Sequence, residues 1–277
     1  MRPGVPEPNK AHIRSPTKGR TMKIGVIGIG EMGGTLARKW SEKGHDVSVA
    51  NSRGAEAALA FATEIGVQST DTHGAVEGAD VVLLAMPFPA AATLPNDLFE
   101  RAAGDVVIID VSNYFPGIRD PNIAEIDAGM PESVWVSLQL GRPIFKAFNS
   151  ILFYSLAELG RPEGERGRLA IPVAGDDGRG KQMVMSLINE IGFDPVDGGS
   201  LAESWRQQPL TPAYCCDFDA DKTRHALVAA VKGKAPRIRD NEWWDNHRRL
   251  FADNPTYREV HAEQIAVNRA LNPLGEM

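Results

Sequence analysis

Met22-Lys23-Ile24-Gly25-Val26-Ile27-Gly28-Ile29-Gly30-Glu31-Met32-Gly33 is an apolar run of strand type that breaks into G-x-G-x-x-G. A helical stretch, Met32–Lys43, follows directly. In a strand–turn–helix unit the first glycine allows the tight turn and the second lets backbone amides approach a pyrophosphate. The third lets the helix lie close on the strand. The helix N-terminus then offers its unbonded N–H groups to the phosphates. This stretch therefore predicts a dinucleotide site in the first βα turn, with Gly28, Ile29, Gly30, Glu31 and Met32 lining it.

Working outward, short apolar runs alternate with longer helical stretches. Strands are predicted at Lys23–Ile27, Asp46–Ala50, Val81–Ala85, Val106–Asp110, Val134–Ser137 and Leu169–Ala174, and helices at Met32–Lys43, Ala55–Ile65 and Lys181–Ile191. Continuous Val/Ile/Leu runs indicate strands buried on both faces, and their alternation with helices indicates right-handed crossovers. The fold class is α/β, a doubly wound parallel sheet over residues 22–215 with a helical C-terminal extension over 216–277. Within that extension helices are predicted at Asp221–Lys232 and Thr256–Leu271. Residues 1–21, rich in proline and basic residues, read as a disordered leader, with Met22 the natural start of the fold.

The second strand ends in Val49-Ala50-Asn51-Ser52-Arg53-Gly54. NAD enzymes place a carboxylate here on the ribose 2′-hydroxyl. This chain has none; Asn51, Ser52 and Arg53 instead suit a 2′-phosphate, because a guanidinium forms a charge-assisted pair with it. NADP(H) is preferred over NAD(H). The third predicted core strand runs out into Met86-Pro87-Phe88, an apolar lip for the nicotinamide side. Asn113, Asn149 and Ser150 follow later strands and can hydrogen-bond a ribose or carboxamide.

Other chemistry is absent from the pattern. No tyrosine has a lysine four residues on, no G-x-S-x-G elbow occurs, and the six histidines form no helical pair for a metal. Lys181 reads as a surface lysine, so no catalytic residue and no metal ligand is assigned. The net charge of −6 argues against nucleic-acid binding, and no run of 18 apolar residues spans a membrane. The two cysteines, Cys215 and Cys216, are too few for a disulfide framework and fit a reducing, cytoplasmic setting.

Taken in order, these motifs resemble the coenzyme F420-dependent NADP oxidoreductases. The resemblance is carried by Met22–Gly30, Asn51-Ser52-Arg53, Asp110-Val111-Ser112-Asn113 and Lys146-Ala147-Phe148-Asn149-Ser150. It continues through Val173-Ala174-Gly175-Asp176-Asp177 and Leu187–Asp197. It implies a Rossmann-type fold and direct hydride exchange between NADPH and the deazaflavin ring of F420, the cofactors carrying the chemistry. It also implies that Ile29–Met32 hold the pyrophosphate and that Ser52 and Arg53 hold the 2′-phosphate. Met86, Pro87 and Phe88 would lie beside the nicotinamide, with Asn149 and Ser150 at the ring junction. Ala57 stands where some members carry a lysine. Arg119, Arg142 and Arg206 are candidates for the anionic F420 tail. Two other readings keep the same nucleotide half: reduction of a flavin, ferric complex, imine or ketone, and a non-enzymatic NADP(H) sensor. The aromatic residues after Cys216 (Trp243, Trp244, Tyr257) lack an evident core of their own and predict a homodimer.

Overall fold

In the computed structural model, which describes residues 20–51, 53–176, 178–252 and 255–275, the glycine motif joins the first strand to the first helix. β1 (Lys23–Ile27), α1 (Glu31–Glu42), β2 (Asp46–Ala50), α2 (Ala55–Ile65), β3 (Gln68–Thr70), α3 (Thr72–Val76) and β4 (Val81–Leu84) form the first half. β5 (Val107–Asp110), α4 (Ala124–Asp127), α5 (Glu132–Leu140), β6 (Phe145–Lys146) and α6 (Phe153–Glu158) form the second. The strand order is β3-β2-β1-β4-β5-β6, parallel throughout. Successive strand residues serve opposite faces. Val26, Leu83 and Ile109 pack with Trp40, Phe148 and Leu187 on one side. Ile27, Leu84 and Ile108 pack with Phe88, Trp135 and Val76 on the other. The order reverses between β1 and β4, the switch point at which such sheets bind ligands.

The expectation of a single parallel sheet needs a correction at its far edge. β7 (Ala170–Val173), α7 (Gly178–Glu190) and β8 (Asp194–Asp197) make a second, two-stranded parallel sheet. It joins the first through an antiparallel bridge, Lys146 N to Ala174 O at 2.8 Å and Ala174 N to Lys146 O at 3.0 Å. The run Val134–Ser137 is not a strand. It lies inside α5, where Glu132, Ser133, Trp135 and Val136 are buried at the i, i+1, i+3, i+4 spacing of a helix face. Gly141, at φ 60°, closes the helix in the left-handed conformation. A four-residue apolar run cannot by itself distinguish strand from helix. β3, β6 and β8 escaped the apolar criterion because they are short and partly polar.

After the sheet, residues 201–207 form a 3-10 helix, followed by α8 (Ala220–Ala229), α9 (Lys234–Ile238), α10 (Trp244–Leu250) and α11 (Tyr257–Leu271). Thr256 and Glu259 form a capping box at the start of α11. α11 returns to the segment 210–217, where Leu210, Cys215 and Asp217 adopt positive φ. Asn272 donates to Leu210 O, Asn268 to Cys215 O and Arg269 to Cys216 O. These bonds satisfy carbonyls that the strained backbone turns away from regular structure. Ser155, Asp217 and His261 meet at one point: Ser155 Oγ and His261 Nε2 both lie on Asp217 Oδ2, at 2.7 and 3.0 Å. Ser155 Oγ and Asp217 Oδ2 both meet the same ring nitrogen, His261 Nε2, so the trio is a clamp between α6 and α11 and lacks the two-sided geometry of a hydrolase relay.

Two of the aromatic residues named in the extension, Trp243 and Tyr257, find partners within the chain, while the Trp244 side chain lies outside what the structure describes. Trp243 stacks on Phe115 at 5.4 Å, and Tyr257 meets Phe153 edge-on at 5.6 Å. Among the described residues no helix is long and apolar enough to cross a membrane.

Candidate nucleotide site and the buried cluster beside it

Three glycines of the loop do different things. Gly28 sits at φ 101°, and a side chain there would also strike Ala85 O at 2.3 Å. A Cβ on Gly33 would lie 2.0 Å from Gly28 O. These two make the turn and the close helix packing possible. Gly30 is different: its φ is −66°, and a Cβ there meets nothing within 4 Å. No side chain caps α1. The first-turn N–H groups thus face an open cradle, which fits a pyrophosphate. Ile29 and Met32 flank it half-buried, and Tyr257 of α11 lies close enough to the exposed Glu31 that, after burial, the glutamate helps hold the Tyr257 phenol above its ordinary pKa. The C-terminal extension therefore reaches the start of α1.

At the end of β2, Asn51 Oδ1 accepts the Arg53 amide at 3.0 Å and Gly54 bonds back to Asn51 O. The Arg53 side chain is exposed and makes no ion pair among the described residues. Ser52 lies outside the described residues. Met86 and Pro87 form the exposed part of the lip. Phe88 does not face the cleft, because its ring is buried, stacked on Trp135 at 5.2 Å and against Tyr114 at 5.4 Å.

The amides expected to serve the cofactor are largely occupied with one another. Asn113 Nδ2 donates to Asn149 O at 2.9 Å, and Asn149 Nδ2 donates to Asn113 Oδ1 and Gln207 O. Gln207 Nε2 completes the knot on Asn149 Oδ1 and the carbonyls of Lys146 and Pro172. The knot pins the ends of β5 and β6 to the segment after β8. Ser150 is buried beside it, and its hydroxyl has no partner among the described residues.

Sequence reasoning missed a charged cluster behind this edge. Lys146 and Asp110, neighbours in register on β6 and β5, are essentially inaccessible and 2.9 Å apart. Lys146 also donates to Ser112 O, while Asp110 accepts the Ser112 amide and hydroxyl. Glu132, at the start of α5, is buried next to them, and burial pushes its carboxyl up to about 8 despite the nearby Lys146. Nothing in a helix-opening glutamate signals this. A cavity of about 580 Å³ opens at Glu132 and Tyr114 and extends to Trp205, Leu210, Lys232 and Arg239. Tyr114 is shared between the cavity wall and the buried Phe88 stack.

The remaining candidates fall elsewhere. Arg119 pairs with Asp120, Arg142 donates to Phe99 O, and Arg206 leans on Trp205 near Glu203, so each already has a partner of its own. Lys181 is neither free nor solvated; it binds Asp197 and Gly199 O and ties α7 to β8. Both cysteines are buried and free, with thiol pKa values raised by burial, Cys216 to about 12. They are inert as nucleophiles. No group of three metal-ligating side chains occurs among the described residues.

The reversal point at β1/β4 and the open glycine cradle define a pyridine-nucleotide-binding protein of the doubly wound class. Comparison with known proteins narrows this. Residues 23–114 match the family described as NADP oxidoreductase, coenzyme F420-dependent. The protein YjhV of Escherichia coli (strain K12) is 46% identical over 111 residues, covering 40% of this chain and 77% of that protein. The chain belongs to this family and is a homologue of NADP-dependent oxidoreductases. Among solved structures, the hypothetical protein SMa0349 from Sinorhizobium meliloti is 28% identical, with a TM-score of 0.57, over 68% of this chain and 90% of that one. A candidate F420-dependent NADP-reductase from Arthrobacter sp. FB24 is 22% identical, with a TM-score of 0.55, over 66% and 87% of the two chains. At that identity it speaks for the fold alone.

Proposed function

We propose that the protein is an NADPH-dependent reductase that passes a hydride to F420, a planar deazaflavin acceptor. The observation that carries the nucleotide half is the unfilled cradle at Gly30 above an uncapped α1, joined to a β2 end with no carboxylate and an exposed Arg53. The bound nicotinamide supplies the hydride. The chain's own residues do the rest: the α1 amides hold the pyrophosphate, Arg53 with Ser52 takes the 2′-phosphate, and Met86 and Pro87 offer an apolar rest for a flat ring. The contact of Tyr257 with Glu31 supports a role for the extension in covering the cleft from water. Family membership is what favours F420 as the acceptor.

The test is a titration with NADPH and NADH, followed by turnover against F420, flavins, ferric chelates and imines. Tighter NADPH binding and loss of deazaflavin absorbance are expected. NADPH binding with reduction of another acceptor instead would remove F420 from the proposal, and binding with no turnover at all would favour a sensor. Arg53→Ala is expected to weaken NADPH binding by about 10- to 150-fold while NADH binding stays within about twofold, since a charge-assisted hydrogen bond contributes about 1.5–3 kcal/mol. Equal losses for both nucleotides in the same titration would make Arg53 a structural residue.

A further inference from the structure

We infer that the cavity at Tyr114 and Glu132 is the acceptor pocket and that Glu132 is its proton donor, serving acceptors whose conjugated C=N or C=O group takes up a proton together with a hydride. This deepens the reading above and rests on it. The cavity, about 580 Å³, is of the size that holds a small planar ligand. Trp205 and Leu210 give it apolar walls, its charged lining is mixed, Lys232 and Arg239 with Asp127 and Asp240, and it is open to solvent where Val231 and Lys232 are exposed.

Glu132 is placed and charged for the task. One of its oxygens accepts the Tyr114 amide at 3.2 Å, and the other has no hydrogen-bond partner among the described residues. The buried cluster holds two carboxylates, Asp110 and Glu132, and one cation, Lys146. Lys146 bonds directly to Asp110, which also receives both Ser112 donors, so the ionised carboxylate is Asp110. The other charged groups on the cavity wall are of both signs, Arg239 paired with Asp240 and Lys232 and Asp127 beside them. Arg119 is paired with Asp120 in the connection after β5, and Tyr214 is buried with its pKa raised, hence neutral. Burial without a cation of its own keeps Glu132 protonated at neutral pH, the condition for a carboxylic acid to act as a donor.

The step balances as follows. As the acceptor carbon receives a hydride from NADPH, its π pair moves to the conjugated heteroatom. The O–H bond of Glu132 breaks, and a new N–H or O–H bond forms there. NADP⁺ and the reduced acceptor leave, and the Glu132 carboxylate regains a proton from solvent through the cavity mouth.

The test compares the full-length wild type with Glu132→Gln, which keeps the acceptor for the Tyr114 amide but cannot donate a carboxyl proton. Without nucleotide at pH 7, the wild-type infrared spectrum is expected to show a protonated-carboxyl band that Glu132→Gln lacks. That band should fade as pH rises through about 8. Because the folded pKa lies above the ordinary 4.5, the contribution of Glu132 to stability is complete at acidic pH and lost as pH rises toward 8. The wild-type melting temperature should therefore fall more between pH 5 and 8.5 than that of the variant. With F420, FMN, a cyclic imine and an α-keto acid as probes, Glu132→Gln should lower turnover of whichever the wild type reduces by about 100- to 10,000-fold. It should also flatten the decline of activity above pH 8, with NADPH affinity within about twofold of wild type. Absence of the protonated band, or a variant as active as the wild type, overturns this assignment and leaves the NADPH reading standing. A wild type that binds NADPH but reduces none of the probes overturns both.

Discussion

Lys146→Met should cost about 3–5 kcal/mol of folding stability, the range for removing one partner of a buried ion pair. Lys146 and Asp110 are 0% and 1% exposed at their side chains, so neither reaches water when its partner is lost. The substitution leaves an uncompensated carboxylate between β5 and β6 and also frees Ser112 O, a second acceptor of the ammonium. Against a typical total of about 5–15 kcal/mol, that is a large share. Urea denaturation read by tryptophan fluorescence measures it. The double variant Lys146→Met with Asp110→Leu should recover part of the loss, because it removes the stranded charge along with its partner. A single-variant loss below about 1 kcal/mol would mean that Asp110 is not ionised, and the charge count that leaves Glu132 neutral would then have to be redrawn.

Gly30→Ala should leave the fold within about 0.5 kcal/mol of wild type and yet weaken NADPH binding by at least about 100-fold. The backbone at Gly30 suits any residue, and the new methyl meets no protein atom within 4 Å. The methyl instead occupies the space a pyrophosphate needs to reach the α1 amides. Loss of two charge-assisted hydrogen bonds at about 1.5 kcal/mol each already gives that factor. Gly33→Ala is the contrasting case: its Cβ would lie 2.0 Å from Gly28 O, so stability itself should fall. Thermal melts and nucleotide titrations on the two variants separate the roles. If Gly30→Ala binds NADPH normally, the phosphates do not lie over this turn.

The alternation of buried runs with helices placed β1, α1, β2, α2, β4, β5, β7 and α7 to within a few residues, because strands covered on both faces must be apolar whatever lies beside them. The segment that became α5 shows where that logic stops. Val134–Ser137 is apolar either way, and only the burial of Glu132 and Ser133 in the same face reveals the helical period. β6 makes only two paired positions, too few to leave a pattern in the chain.

For the site, the glycine loop and the carboxylate-free turn at Asn51–Arg53 were legible because their chemistry is local: backbone freedom, helix-end dipoles and a guanidinium act over a few residues. What the sequence by itself determined is an α/β chain of the dinucleotide-binding class; the 2′-phosphate preference rests on the proposed role of Arg53. Only the tertiary structure decided that Phe88 belongs to the core, that Asn113 and Asn149 bind each other and Gln207, and that the extension's aromatic rings close on the chain's own Phe115 and Phe153. It alone brought Lys146, Asp110 and Glu132, 36 and 22 residues apart in sequence, into one buried cluster. The reason is physical: a side chain's charge state depends on the solvent and counter-charges around it, and the fold supplies both.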